Sequence, residues 1–180
     1  GKFGLMALSN GNLIWESLLA APRGASEIER LSDVTAKPTL FGSRMCAVAY
    51  QGKIGCGDIK NASMSWTKDF SSYSGTTQSA EAVFAINEKS YLTAFNATNG
   101  QQLWRNEKLV WRDLGEPIAV GKVVLAGDAE GYLHLFSQES GDIIGRVRVD
   151  SSPIVAPVIP SNGFIIVQSK GGTLASYKLQ

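Results

Sequence analysis

Apolar residues recur at every second position in short stretches of this chain: Phe3 and Leu5, Ile54 and Cys56, Leu92 and Ala94, Leu133 and Leu135. Period two is the mark of a β-strand with one buried face. Upstream of the later stretches lie continuous apolar runs at 45–50, 82–86, 123–126 and 164–167. Each run is divided from its follower by turn-forming residues, as in Asn87-Glu88-Lys89, Asp128-Ala129-Glu130-Gly131 and Lys170-Gly171-Gly172. Such pairs read as hairpins. No segment sustains a helical period, so the expected class is all-β.

The strands repeat. Trp15, Trp66 and Trp104 each fall at the same place in successive copies, and Gly145 takes that place in a fourth. Four residues earlier stand Gly11, Ala62, Gly100 and Gly141, and fourteen earlier Gly1, Gly52, Ser90 and Gly131. A further copy begins at Gly172. One unit is a strand, a hairpin, a strand, a glycine turn, and a strand bearing the indole. The copies are spaced by 51, 38 and 41 residues, and about 40 residues per all-β unit predicts four-stranded propeller blades. A blade cannot bury both faces alone, so neighbours must stack, and Gly-x-x-x-Trp fits an indole lying over the glycine turn of the next blade. A β-sandwich is the competing architecture, against which the aligned glycine and serine columns speak.

The expected organisation is a partial blade over 1–20, an inter-blade loop over 20–35, blades over about 36–72, 79–110 and 115–150, and a partial blade over 155–180. Residues 1–8 and 172–179 match the same strand of the repeat. Joining the ends would duplicate that strand, which favours a section of a larger ring over a closed four-bladed one. The chain starts inside a predicted strand, so any targeting segment lies outside it.

Composition narrows the partners. The 180 residues are 44% hydrophobic and 18% charged with a formal net charge of +1, and there is no basic run that would steer the chain to nucleic acid. No apolar stretch approaches the length of a membrane-spanning helix. The two cysteines flank a hairpin at Tyr50-Gln51-Gly52-Lys53. With Gln51-Gly52 as a two-residue loop, Cys46 falls opposite Gly57, the two sulfurs point to opposite faces, and both thiols are expected free.

Chemistry-bearing residues are sparse. His134 is the single histidine, which rules out multi-histidine metal sites and makes a packed or capped core residue of it. Asp128 and Glu130 stand in a hairpin turn, where acids serve local backbone bonds rather than hydrolysis. No catalytic group, metal site or cofactor site is expected. Spacing supplies a different pointer: the surplus in the first repeat interval falls in 20–35, and functional residues concentrate on loops held by rigid scaffolds. That loop carries Glu27, Ile28, Glu29, Arg30, Leu31 and Asp33, an apolar pair among mixed charges that suits a protein interface. Its bland alternative is an Arg30–Asp33 pair that merely pins the loop. Trp111-Arg112-Asp113, in the loop at 105–116, either extends the docking face or caps a blade edge.

The Gly-x-Leu and Gly-x-x-x-Trp elements resemble the pyrroloquinoline-quinone-type propeller repeat. More narrowly, Glu27-Ile28-Glu29-Arg30-Leu31-Ser32-Asp33-Val34, Asp128-Ala129-Glu130-Gly131-Tyr132-Leu133-His134 and Val149-Asp150-Ser151-Ser152 resemble the BamB family of Gram-negative outer-membrane assembly lipoproteins. The resemblance covers essentially the whole chain, as the second half of an eight-bladed ring. It implies a non-enzymatic scaffold in the periplasm, tethered by an N-terminal lipid absent from this chain. The scaffold docks on the periplasmic POTRA domains of the barrel-forming subunit through the 20–35 loop, with Glu27, Ile28, Arg30, Leu31 and Asp33 as partner-binding residues. Arg30 and Asp33 match the family motif, whereas Thr35 stands where the family often has a second acid. Unfolded outer-membrane proteins are a second partner class, reached by edge-strand addition. Quinone-dependent dehydrogenases share the repeat but need adjacent cysteines and converging metal ligands, which this chain lacks. A generic interaction propeller of the WD or kelch kind is a third reading, without its dipeptide signatures here.

Overall fold

The computed structural model describes residues 1–21 and 32–178, and the described residues form five antiparallel sheets in chain order. The first has two strands, β1 (Lys2–Met6) and β2 (Leu13–Leu18). Three four-stranded sheets follow. They are β3 (Thr39–Phe41), β4 (Arg44–Val48), β5 (Lys53–Asp58) and β6 (Ser63–Asp69); then β7 (Thr76–Gln78), β8 (Ala82–Ile86), β9 (Leu92–Asn96) and β10 (Gln102–Asn106); then β11 (Ile118–Val120), β12 (Val123–Gly127), β13 (Tyr132–Ser137) and β14 (Ile143–Arg148). The last has three, β15 (Ile159–Ser161), β16 (Phe164–Gln168) and β17 (Leu174–Lys178). Each is a meander whose strands pair only with their sequence neighbours.

Alternation puts the two faces of each central strand into two different cores. On β4, Cys46 and Val48 pack with Val83, Ala85 and Phe95 of the following sheet, while Met45 and Ala47 pack with Phe3 and Leu19 of the preceding one. On β8, Ala82, Phe84 and Ile86 face Val124, Ala126 and Phe136. Leu125 and Leu133 then meet Ile154, Ile165 and Val167. Four such cores join the five sheets in sequence order. This explains the unbroken apolar runs at 45–50 and 82–86, since strands buried on both sides show no polar alternation.

The expected indole staple is present at two junctions. Trp66 Nε1 donates to Ala97 O at 3.0 Å, and Trp104 Nε1 to Gln138 O at 2.9 Å. Each indole lies on the turn glycine of the next sheet, Gly100 (φ 70°) and Gly141 (φ 76°), where an added Cβ would collide with the ring. Glycine is therefore needed twice over there, for the backbone region and for the close approach. At the first junction the turn residue is Ala62 (φ 48°), and Trp15 packs edge-on to Phe3 at 5.4 Å and reaches toward Gly57. A Cβ on Gly145 would find only Leu135 Cβ at 4.0 Å. The missing indole leaves a cavity of about 250 Å³ between Leu133, Leu135, Val147, Ile165 and Tyr177.

The expected free thiols are not found: Cys46 and Cys56 form a disulfide. The cause is a one-residue difference in register. The hairpin closes on Ala49, whose N–H donates to Lys53 O at 3.0 Å, leaving the three-residue loop Tyr50-Gln51-Gly52. Cys46 then pairs with Cys56 rather than Gly57. The same closure recurs at Asn87–Tyr91, Asp128–Tyr132 and Ser169–Thr173. In those copies a side chain at the first position marks the loop: Asn87 Oδ1 accepts the N–H groups of Lys89 and Tyr91, and Asp128 Oδ1 those of Glu130 and Tyr132. Ala49 carries no such acceptor, so the signal for a three-residue loop here is the column that Gly52 shares with Ser90 and Gly131.

Replacing Trp66 by alanine is expected to cost about 3–5 kcal/mol of unfolding free energy. Gly100→Ala, which forces a Cβ into the indole and strains a left-handed turn, is expected to cost at least 1 kcal/mol. Urea titration of the two variants checks both values, and Gly42→Ala is a useful comparison because it shares the positive φ without any nearby atom.

Candidate docking surface

Because consecutive strands run in opposite directions, each loop leading into a sheet emerges at the same end as the hairpin between that sheet's second and third strands. Hydrogen bonds tie the two together at a constant spacing. Tyr50 N–H donates to Asp33 O at 2.7 Å, Ala129 N–H to Arg112 O at 3.0 Å, and Lys170 N–H to Pro153 O at 2.7 Å. In the remaining sheet the Ser71 hydroxyl meets the Glu88 carboxylate. Asp33, Ser71, Arg112 and Pro153 thus hold equivalent places on one end of the stack.

The segment expected to dock a partner is rooted at this end. At its start, Leu19 and Ala20 both donate N–H groups to Gly1 O, at 3.0 and 3.1 Å, and Leu19 O accepts from Lys53 N–H at 2.9 Å. At its finish, Asp33 forms an isolated bridge with Tyr50. The chain crosses there so closely that a Cβ on Gly1 would stand 2.8 Å from Val34 N. Gly52 is as tightly hemmed, with Ala20 Cβ 2.6 Å from its own would-be Cβ. Both roots therefore converge on Gly1 and the 50–52 hairpin, and two repeat-column glycines exist to let them pass. Asp33 itself is exposed, with Oδ1 accepting the Val34 N–H at 2.7 Å. Glu27, Ile28, Glu29, Arg30 and Leu31 lie outside the described residues, and with them the alternative Arg30–Asp33 pair.

Trp111-Arg112-Asp113 stands on the same end and is held from both sides. Trp111 and Asp113 have positive φ, 61° and 51°, an uncommon backbone for residues with a Cβ. Trp111 N–H donates to Lys89 O at 3.1 Å, and the Tyr73 hydroxyl donates to Asp113 Oδ1 at 2.9 Å. The indole of Trp111 is left 71% exposed. It stands on a clamped backbone. Burial and the Asp113 carboxylate together push the Tyr73 phenol up to about 12. Between this loop and residues 35–37 opens a cavity of about 470 Å³, lined among others by Lys37, Tyr73, Glu116, Ile154 and Val155.

The clamp on Arg112 was not legible from spacing. Its Nε donates to Asp128 Oδ2 at 3.0 Å, its guanidinium also pairs with Glu130, and His134 Nε2 lies 2.7 Å from the same Asp128 oxygen. Asp128 and His134 are buried, so His134 is a packed core histidine, as its place between Tyr132 and Phe136 suggested, held to Asp128 through Nε2 while its buried Nδ1 has no hydrogen-bond partner. Burial alone would raise the Asp128 carboxyl. The bonds from His134, the Tyr132 N–H and Arg112 outweigh burial and bring it down to about 2. Asp150, in the next loop, is held well below the ordinary carboxylate range by the Ser169 hydroxyl, the Ser151 N–H and the Ser152 hydroxyl. Such arrangements tie loops to neighbouring hairpins. Among the described residues no group of three or more His, Cys, Asp or Glu side chains could hold a metal ion.

A carboxyl whose folded pKa lies below its unfolded value of about 3.9 stabilises the fold above that pH, and the contribution drains away as pH falls through the folded value. Asp128→Asn is therefore expected to lower stability at pH 7 by about 2 kcal/mol. It should also flatten the loss of stability between about pH 4 and pH 2. Urea unfolding of variant and parent across that range measures both.

The comparisons with known proteins agree with the geometry. The family profile described as "Outer membrane protein assembly factor BamB" matches residues 1–106 and again 88–179. The assembly factor BamB of Burkholderia pseudomallei is 38% identical over 94% of this chain and 45% of its own length, and that of Bordetella pertussis is 38% identical over 97% and 45%. The chain thus spans about half the length of the curated relatives it matches. The crystal structure of BamB from Moraxella catarrhalis superposes with a TM-score of 0.91 at 25% identity, over 99% of this chain and 53% of that one. A quinohemoprotein alcohol dehydrogenase from Comamonas testosteroni gives a TM-score of 0.53 at 19% identity over 64% of the chain, a likeness of fold alone. The five sheets are propeller blades, and the chain belongs to the BamB family of outer-membrane protein assembly factors.

Proposed function

We propose that this chain is about half of an eight-bladed, non-enzymatic scaffold that serves outer-membrane protein assembly at the periplasmic face of the outer membrane. It docks there on the POTRA domains of the barrel-forming subunit. The observation that carries this reading is the neck formed by Gly1, Tyr50 and Gly52, which fixes both roots of the 20–35 segment on the loop end of the blades. Holding both roots of a recognition segment on a rigid frame lowers part of the ordering cost of binding. Glu27, Ile28, Arg30, Leu31 and Asp33 are its contact residues, and Asp33 is exposed at the exit. The exposed Trp111 on its clamped loop extends the same surface, since exposed aromatic and arginine residues are favoured anchors. The Cys46–Cys56 disulfide supports an oxidising compartment, of which the bacterial periplasm is one. A lipid at the N-terminus of the whole protein would supply the tether. Unfolded outer-membrane protein chains would be contacted by edge-strand addition.

Calorimetry of the full-length protein with isolated POTRA domains tests the docking. Asp33→Lys is expected to weaken binding at least tenfold while leaving the thermal unfolding midpoint unchanged. Equal affinity of variant and parent would remove the 20–35 segment from the interface, and no binding by the parent would overturn the docking itself.

A further inference from the structure

The Cys46–Cys56 disulfide lies where no reagent can reach it. Counting from the hydrogen-bonded Ala49–Lys53 closure, ladder alternation makes Cys46 and Cys56 a non-hydrogen-bonded pair, the kind whose side chains stand closest. Their Cα atoms are 4.1 Å apart, and both residues are 0% exposed. Around them stand Val48, Ile54 and Trp66 of their own sheet and Val83, Ala85, Phe95 and Ala97 of the next. The bond is therefore part of the core between two blades rather than a surface brace.

The register repeats in the other blades and shows what the pair replaces. The same cross-strand place is held by Phe84 and Ala94, by Leu125 and Leu135, and by Ile166 and Ser176. Where another blade follows in the chain the place faces that blade: Phe84, Ala94 and Leu125 are buried there and Leu135 partly so, while in the last sheet Ile166 is half-buried and Ser176 exposed. A reduced Cys46–Cys56 pair fits such a place, because free cysteine packs as a small apolar residue. Blade stacking thus does not require the disulfide, but stacking would close off the thiols once complete.

We propose that the 44–58 hairpin is the substrate of a disulfide-bearing oxidant that acts before this blade stacks on the next. One cysteine thiolate attacks the oxidant's disulfide and forms a mixed disulfide, releasing one oxidant sulfur as a thiolate. The second cysteine thiolate then attacks the Cys sulfur of that mixed bond and expels the other oxidant sulfur. The chain loses two electrons and two protons, and the oxidant becomes a dithiol, or two thiols, with those two protons taken up through solvent. In-line attack needs an open approach to the sulfur, which the unstacked hairpin offers and the assembled core denies. The order is consequently fixed: oxidation first, stacking second. This inference rests on burial and register, and not on the docking reading.

The test uses the native protein carrying these residues, reduced in denaturant, with oxidised glutathione as the probe. In one arm the oxidant is present while the chain is unfolded; in the other the chain is refolded reduced before the oxidant is added. Alkylation and peptide mass spectrometry follow Cys46 and Cys56 specifically. The expected result is rapid formation of the Cys46–Cys56 bond in the first arm and at least a hundredfold slower formation in the second. A reduced chain that fails to refold would overturn the claim that stacking needs no disulfide, while still keeping oxidation ahead of stacking. Cys46→Ser should give a Cys56–glutathione adduct only when treated unfolded. Equal rates in the two arms, or an adduct on the folded variant at the unfolded rate, would overturn the proposal.

Discussion

Every central strand here must find two apolar partners, one for each face, and no blade contains them. That single constraint orders the rest of the molecule. Phe84 and Val83 are neighbours in sequence yet belong to different cores, one shared with the following blade and one with the preceding. Apolar burial is non-directional and would tolerate sliding of one sheet on another. Direction comes from the few polar contacts that cross each seam. The Trp66 and Trp104 indole N–H groups bond to carbonyls of the next blade's turn. Nearer the other edge, the Thr39 hydroxyl pairs with that of Thr76, and Ala119 N–H donates to Thr77 Oγ1. The seam is thus apolar in its middle and latched by hydrogen bonds on both sides.

The latches at the loop end have a different character. One of them, at Asp128, is charged, buried and shared among several donors. Asp128 receives two backbone N–H groups on one oxygen, and His134 and Arg112 on the other. A carboxylate so surrounded stays ionised in a place where an unpaired charge would be costly. Its effect is to transmit the rigidity of a hairpin to the loop that bears Trp111. Asp150 does similar work with hydroxyl groups for the last blade. The loops around Arg112 and Asp150 are therefore anchored at their bases, whichever surface residues they present.

The sequence made the blades legible because their rules are local. Period-two patterning, turn residues and a glycine four places before an indole each act within a dozen residues. The cross-strand pairing at Cys46 depended on whether a loop held two residues or three, and only the column shared by Gly52, Ser90 and Gly131 carried that count. Asn87, Asp128 and Ser169 announce the longer loop with side chains that bond the backbone, whereas Ala49 is silent. One residue of slip exchanges the faces of a strand, so a small uncertainty in a turn became a wrong statement about redox state. The union of Arg112 with Asp128 was hidden for another reason: sixteen residues of strand and loop separate them, and only the folded blade brings them together. Of the candidate docking residues, the spacing surplus located the segment, and the glycine columns at Gly1 and Gly52 acquire their meaning only when the crossing chain is seen.

The neck at Gly1 and Gly52 has an evolutionary corollary. A segment whose two roots are fastened side by side contributes nothing to the span between blades, so its length and composition are free to change without disturbing the frame. Loop-closure entropy grows only logarithmically, by about 0.6 kcal/mol for each doubling of length. Selection can therefore rewrite or enlarge what lies between the roots. The neck itself allows no such latitude, because each of its glycines is already in contact with passing backbone. The propeller behaves in this respect as a socket with an interchangeable insert.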